Sequence, residues 1–572
     1  MMTGRLLTIV GCLWLATAVQ AAPKLFKNGK SSYKIVLAEG ASASEQTAAR
    51  ELQDYLRQVG GVELPVTTAP NAKGRYIYIG YDRHVQTVTG AAERAADDES
   101  FTYQTHRGNL YIYGGRQRGT MYGVFTFLER ELGVRWYTPD CTVVPRQTVY
   151  ELHEMNISES PAIRYRYAQY WHVAQDAAWC AHNKNNSLWK AADNEYGGIV
   201  AYWNAHTMGQ FMPVREFFAD HPEYFALRDG HRIDNGQLCL SNPDVLRICT
   251  DRLLKAIADN PGYWVYSLSQ NDNTRYCQCE ACTAIAHRYG DSQSGLMLWF
   301  VNQAAEKVHE QYPHVMVGTF AYQYTRKPPV GIHPADNVVV RLCSIECCFA
   351  HPFSYCGGDF MRDLSDWSKI APHLFIWDYV VDFAQYQAPF PNLHVLAENI
   401  RILRDNHAIG IQEEAQYQGN GGEFCELKAW LLTRLLWNPE QDTDALVSEF
   451  VHAYYGAAAE AVMEYIAMCR NLIKPDTYMG IFIRHDNPLF TDRFVGESLR
   501  LLNAARKLVE GDATLTKRID NVRLQPLYLY LMRQPKEAAA DGSAKEYLDM
   551  IERERYRVDE WNSLDKFIND HR

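Results

Sequence analysis

Three rhythms of apolar and polar positions follow one another along the chain. Between residues 23 and 155, short alternating runs and helical spacings are mixed. Ala48, Leu52, Leu56 and Val59 recur at helical intervals behind Ser42 and Glu45, a capping-box pair, and Gly60-Gly61 stops the helix. Arg75-Tyr-Ile-Tyr-Ile reads as a strand. Phe101–Thr105 and Leu110–Gly114 read as a hairpin, and a helix over Arg118–Leu132 ends at Gly133. From about Pro161 the texture changes to β-rich runs separated by amphipathic helices. Seven such runs stand out: Tyr165–His172, Ile199–His206, Trp264–Asp272, Val315–Tyr324, Val338–Glu346, Leu374–Tyr379 and Ala408–Glu414. An eighth is expected near Phe225-Ala-Leu. From Asp442 onward the pattern is helical.

Strand and helix in alternation predict a parallel sheet, and nearly 290 residues of it suit a closed barrel better than an open sheet. The expected fold class is therefore α/β: a (β/α)8-type barrel over 159–441, preceded by a small α/β domain at 22–158 and followed by a helical region at 442–572 that supports it. The first 21 residues, with Arg5, an apolar run and Ala-Val-Gln-Ala21, have the form of a secretory signal peptide. Export to the periplasm or cell surface of a Gram-negative bacterium follows from that reading. No segment is apolar enough to span a bilayer.

Composition narrows the chemistry. A net charge of −11 without a basic stripe argues against nucleic acid. The 36 Tyr and 13 Trp suit stacking on sugar faces as well as core filling. Cys277, Cys279 and Cys282 form the only tight cysteine cluster. Three thiolates fall short of the roughly four ligands of a closed zinc site, and a disulfide with a spare thiol fits equally well. No cofactor or metal is assigned.

In a barrel, the carboxyl ends of strands carry the chemistry. Those ends here bring Trp171, Trp203 and His206, then Asn271 and Asp272, Tyr322, Glu346 with His351, Asp378, and Glu413-Glu414. Acidic strand ends amid aromatic side chains suit a glycan-cleaving pocket, where one carboxyl group protonates the leaving oxygen and another supports the anomeric carbon. Asp272 and Glu346 are the expected catalytic pair, each ending an apolar strand, and the other residues are expected to hold sugar. On a strand, neighbours face opposite sides, so only one of Glu413 and Glu414 points inward. Nucleophile-elbow, phosphate-loop and His-Glu-x-x-His motifs are absent from the sequence.

Ser269-Gln-Asn-Asp-Asn, Tyr276-Cys-Gln-Cys-Glu-Ala-Cys, Ala321-Tyr-Gln-Tyr-Thr-Arg-Lys-Pro-Pro and Ser344-Ile-Glu-Cys-Cys-Phe-Ala-His-Pro resemble domain of unknown function 4838, which corresponds to glycoside hydrolase family 163. The likeness extends through Gly422–Leu432 to Leu436-Trp-Asn-Pro439. Arg118-Gly-Thr-Met-Tyr-Gly with Gly133-Val-Arg-Trp-Tyr-Thr-Pro resembles the α/β domain that precedes the barrel in α-glucuronidases and β-hexosaminidases. The first resemblance implies an endo-β-N-acetylglucosaminidase that cuts the chitobiose core of complex N-glycans, a glycan or glycoprotein partner, and a source among glycan-degrading gut bacteria. Two schemes stay open. One pairs Asp272 with Glu346. In the other the substrate's N-acetyl oxygen attacks, with Asn271 orienting it and Asp272 as the acid. An exo-acting hexosaminidase or α-glucuronidase and a non-catalytic glycan-binding protein are the alternatives.

Overall fold

The computed structural model describes residues 22–572 except 69, 72, 189–193 and 199; the leader read in the first 21 residues lies outside the described residues. The N-terminal part is a six-stranded sheet built from β1 (Tyr33–Leu37), β2 (Val66–Thr67), β3 (Arg75–Ile79), β4 (Phe101–His106), β5 (Asn109–Gly114) and β6 (Asn156–Glu159), in the order β6-β4-β5-β3-β1-β2. The expected capping box is formed: the Ser42 hydroxyl accepts from the Glu45 amide while the Glu45 carboxylate accepts from the Ser42 amide, opening a helix over Ala43–Gly60. The β4–β5 turn places Arg107 and Gly108 at φ 50° and 76°, the doubly left-handed geometry that matches the twist of a tight hairpin. That helix and the one over Gly119–Leu132 pack on one face of the sheet in a single apolar core.

The chain then enters an eight-strand sheet of parallel strands: β7 (Tyr165–Gln169), β8 (Ser187–Leu188), β9 (Val200–Trp203), β10 (Val265–Ser267), β11 (Met316–Ala321), β12 (Val338–Cys343), β13 (Leu374–Tyr379) and β14 (Ala408–Glu414). Their order is β7-β14-β13-β12-β11-β10-β9-β8. All seven runs expected from the sequence contain one of these strands. The eighth does not lie at Phe225: Leu227–Arg228 pairs in a two-residue hairpin with His231–Arg232, and the missing parallel strand is Ser187–Leu188. The sheet is curled. Tyr165, Tyr202, Val265, Val339 and Phe375, from strands far apart in the order, meet in one buried cluster, which only the concave face of a curled sheet can gather. At its edge the Asn186 amide reaches the Arg166 carbonyl of β7 at 3.2 Å.

A buried charge network ties the two sheets together. Glu99 accepts from the guanidinium groups of Arg118 and Arg166 and from Asn186, and the burial of the carboxylate is more than offset by those donors, which hold its pKa below the usual value. The C-terminal helices share one continuous core with the outer face of the parallel sheet, through Trp430, Leu431 and Leu435 against Phe450, Tyr454 and Tyr465. No helix among the described residues is long and apolar enough to cross a membrane.

Candidate active site

Alternation along each strand decides which strand-end residues enter the cavity. On β13 and β14, Trp377, Tyr379 and Glu414 face the concave side, so Asp378 and Glu413, which pair in register, face the surrounding helices. The expectation that only one of Glu413 and Glu414 points inward holds, and it is Glu414. Asp378 accepts from the Ser344 hydroxyl, and burial pushes its pKa up to about 6. Glu413 lies beside it, raised by burial and by the neighbouring Asp378 charge.

A cavity of about 710 Å³ opens at the carboxyl ends of the strands. His206, Asp272, Tyr322 and Glu414 line it, together with Gln169, Phe320, Trp377, Tyr379, Tyr417 and Glu560. Asp272 is exposed and accepts from the Tyr322 hydroxyl at 3.1 Å, which in turn accepts from Gln323 Nε2 at 2.9 Å. The His206 ring is held 5.0 Å from Phe320, with Nδ1 2.7 Å from the Gln270 carbonyl; a carbonyl only accepts, so Nδ1 carries the proton. His206 and Gln323, both in the cavity lining, have φ near 50°, a left-handed backbone uncommon for non-glycine residues.

Glu414 is the most perturbed of the acids facing the cavity. Its carboxyl sits deep among protein atoms, and burial drives its pKa up to about 8, against the lowering effect of the Trp377 indole N–H bonded to it at 2.7 Å. The charges of Glu560 and Asp272 raise it further, while Arg341 lowers it. Arg341 forms part of the floor beneath, its guanidinium 3.8 Å from the Tyr202 ring centroid and 4.9 Å from that of Trp377. Glu560 accepts from the Tyr417 hydroxyl at 3.0 Å and is likewise raised, chiefly by burial.

The other expected residues are not gathered here. Glu346 stands outside the cavity lining, paired with Arg326 at 3.0 Å, while Arg326 also holds Asp363 at 2.8 Å. Asn271 turns its amide away to the Gly236 carbonyl at 3.1 Å. Trp203 stacks on Phe211, on the opposite side of β9 from Tyr202. Trp171 is exposed on a short helix over Trp171–Ala174, and the His351 ring donates to the Lys474 carbonyl at 3.0 Å.

Conversely, the C-terminal region does more than support the sheet. Backbone bonds from Phe383 to Ile481 and from Glu560 to Phe383 draw two of its segments over the mouth, so that Ile481, Phe482, Glu560 and Trp561 complete the cavity wall. The helical pattern read from Asp442 onward passes over Asp559-Glu560-Trp561, whereas the helix in fact stops at Glu554 and the next begins at Leu564, which leaves this run free to turn to the cavity. A second cavity, of about 480 Å³, lies between His172, Glu426 and the C-terminal residues Lys517 and Arg518 and shares no lining residue with the first.

Residues 13–127 match the glycosyl hydrolase family 67 N-terminus. Among solved structures, the chain superposes on a family 115 4-O-methyl-α-glucuronidase with specificity for decorated arabinogalactans, with a TM-score of 0.56 and 13% identity, covering 91% of this chain and 76% of that one. It also aligns with a Flavobacterium johnsoniae chitobiase, with a TM-score of 0.47 and 12% identity over 96% and 97% of the two chains. No curated protein matches. Residues 136–467, which include all eight parallel strands and most of the cavity lining, match domain of unknown function 4838, and the chain belongs to that family.

Proposed function

We propose that this protein is an exported glycoside hydrolase, an endo-β-N-acetylglucosaminidase acting on the chitobiose core of complex N-glycans, with its site at the mouth of a closed (β/α)8-type barrel. The observation that carries the hydrolase reading is the cavity itself. Three acidic side chains, Asp272, Glu414 and Glu560, face one space walled by Trp377, Tyr379, Tyr417 and Trp561. The choice of bond rests on the sequence motifs around Asp272, Tyr322 and Glu346.

Glycosidic cleavage needs a carboxylic acid that still holds its proton at the working pH. Glu414, raised to about 8, fills that role and protonates the leaving oxygen. Asp272, aligned by Tyr322, supports the positive charge that develops at the anomeric centre. Burial keeps Glu414 protonated, and the neighbouring Glu560 charge adds to the effect. Indole and phenol rings supply flat apolar surface for the sugar faces.

The test is mass spectrometry of glycans released from a complex-type glycoprotein by the purified protein. Oligosaccharides ending in one reducing N-acetylglucosamine, with its partner left on the protein, support the proposal. Release of single sugars overturns it in favour of an exo-acting enzyme. Glycan binding without release overturns it in favour of a non-catalytic binder.

A further inference from the structure

Cys239 lies 38 residues before the cysteine cluster in sequence, yet the fold delivers it there. The sulfurs of Cys239, Cys277, Cys279 and Cys282 all fall within 4.8 Å of one another. Cys239 Sγ is 3.6 Å from Cys279 Sγ and 3.8 Å from Cys282 Sγ. Four thiolates at zinc–sulfur distances of about 2.3 Å span tetrahedral edges of about 3.8 Å. The two Cys239 distances match those edges and every sulfur lies within 4.8 Å of the others, a gathering that one zinc ion can span, whereas a disulfide engages two sulfurs at a time and gives no reason for four to converge.

The surroundings suit sulfur that carries charge. The Leu227 amide points at Cys277 Sγ from 3.3 Å and Arg232 Nη1 from 3.8 Å, while the Cys282 amide points at Cys279 Sγ from 3.5 Å. The Ser241 hydroxyl stands 3.1 Å from Cys282 Sγ, 3.6 Å from Cys239 Sγ and 3.7 Å from Cys279 Sγ. Outer donors such as the Leu227 and Cys282 amides and the Arg232 guanidinium orient and stabilise metal-bound thiolates. Cys279 and Cys282 also have the two-residue separation typical of zinc knuckles, here at the start of the helix over Glu280–Arg288.

We infer that Cys239, Cys277, Cys279 and Cys282 bind one structural Zn²⁺ that staples the loop bearing Asp272. On binding, the four sulfurs give up their thiol protons to solvent, and no electron changes hands. The position gives the ion its purpose. Gln237, two residues from Cys239, donates from Nε2 to the carbonyls of Asn271 and Asn273 at 2.8 and 2.6 Å and accepts from the Asn271 amide at 2.9 Å. Cys277 ends the same loop. The ion therefore locks together the two segments that hold Asp272 between them, and it stands apart from the cavity, so the inference does not depend on the reaction proposed above.

The full chain, purified without chelating resin and analysed for metals by mass spectrometry, is expected to carry one zinc per chain. Exchange into cobalt is expected to give the intense near-ultraviolet thiolate-to-cobalt absorption of a tetrahedral all-sulfur site. Cys239→Ser and Cys282→Ser are expected to lose the metal, and amide exchange over residues 271–279 to quicken relative to the sheet. The wild-type measurements stand even where a serine variant fails to fold. A metal-free folded protein whose peptide map shows these cysteines in disulfides, or whose four thiols alkylate freely in the native state, overturns the inference, as does iron in place of zinc.

Discussion

Trp377 and Glu414 sit on adjacent strands, and the indole N–H of the first donates to the carboxyl of the second at 2.7 Å across the cavity wall. That bond favours the ionised form of Glu414 and opposes the burial that raises it. In Trp377→Phe the bond is gone, so Glu414 keeps its proton to higher pH. With Glu414 as the proposed acid, the basic limb it would set near pH 8 is expected to move upward in this variant, as glycan-release rates between pH 5 and pH 10 would read.

The same carboxyl group costs stability. Its pKa in the folded chain, about 8, lies above the ordinary value of 4.5, so across that window the folded state holds a proton that the unfolded state has released. Stability therefore falls as pH rises through it. Glu414→Gln carries no charge at any pH. Its melting temperature is expected to exceed that of the wild type by a margin that is small at pH 4.5 and grows toward pH 8, the usual trade between a strained site and stability.

Glu99 shows the opposite sign. Its pKa is lowered by two guanidinium partners, so its contribution is present above the unfolded value and is lost as pH falls through the folded one. Glu99→Gln leaves Arg118 and Arg166 buried without their carboxylate, at a cost of about 3–5 kcal/mol. Urea denaturation at pH 7 checks the loss, and the gap between variant and wild type should narrow in acid.

Trp561 is 61% exposed, with its ring 5.6 Å from that of Phe482 at the cavity edge. Trp561→Ala removes little packing, so stability should change by less than about 0.5 kcal/mol. Losing a stacking surface for sugar should raise KM about tenfold, the equivalent of about 1.4 kcal/mol, with kcat nearly unchanged. Steady-state kinetics and a melting curve on the same preparation separate the two effects.

Much of this arrangement is legible in the sequence, and the exceptions have physical reasons. The seven longer strands announce themselves because each carries a run of apolar residues. Ser187–Leu188 is too short to have a rhythm, and Phe225 mimics a strand because Phe225 and Ala226 are buried under the neighbouring helices. Parity predicted that one of Glu413 and Glu414 faces inward, but for Asp378 it needed the register with β14. Glu346 reads as a strand end, yet it lies three residues past Cys343, where the chain has turned toward Arg326. Glu560 and Trp561 reach the site from the other end of the chain, and Cys239 joins its cluster across 38 residues. Contacts made only by tertiary folding leave no local pattern to read.

The measurement closest to the central claim compares glycan release by the wild type with that by Asp272→Asn, Glu414→Gln and Glu346→Gln, each shown to be folded. If the cavity at the strand ends performs the reaction, turnover falls by about 10²–10⁴ in the first two variants. Glu346→Gln, altered only at a rim ion pair, stays within a few-fold of wild type. Full activity in Glu414→Gln together with an inactive Glu346→Gln would contradict the account and place the chemistry at the Arg326–Glu346 rim instead.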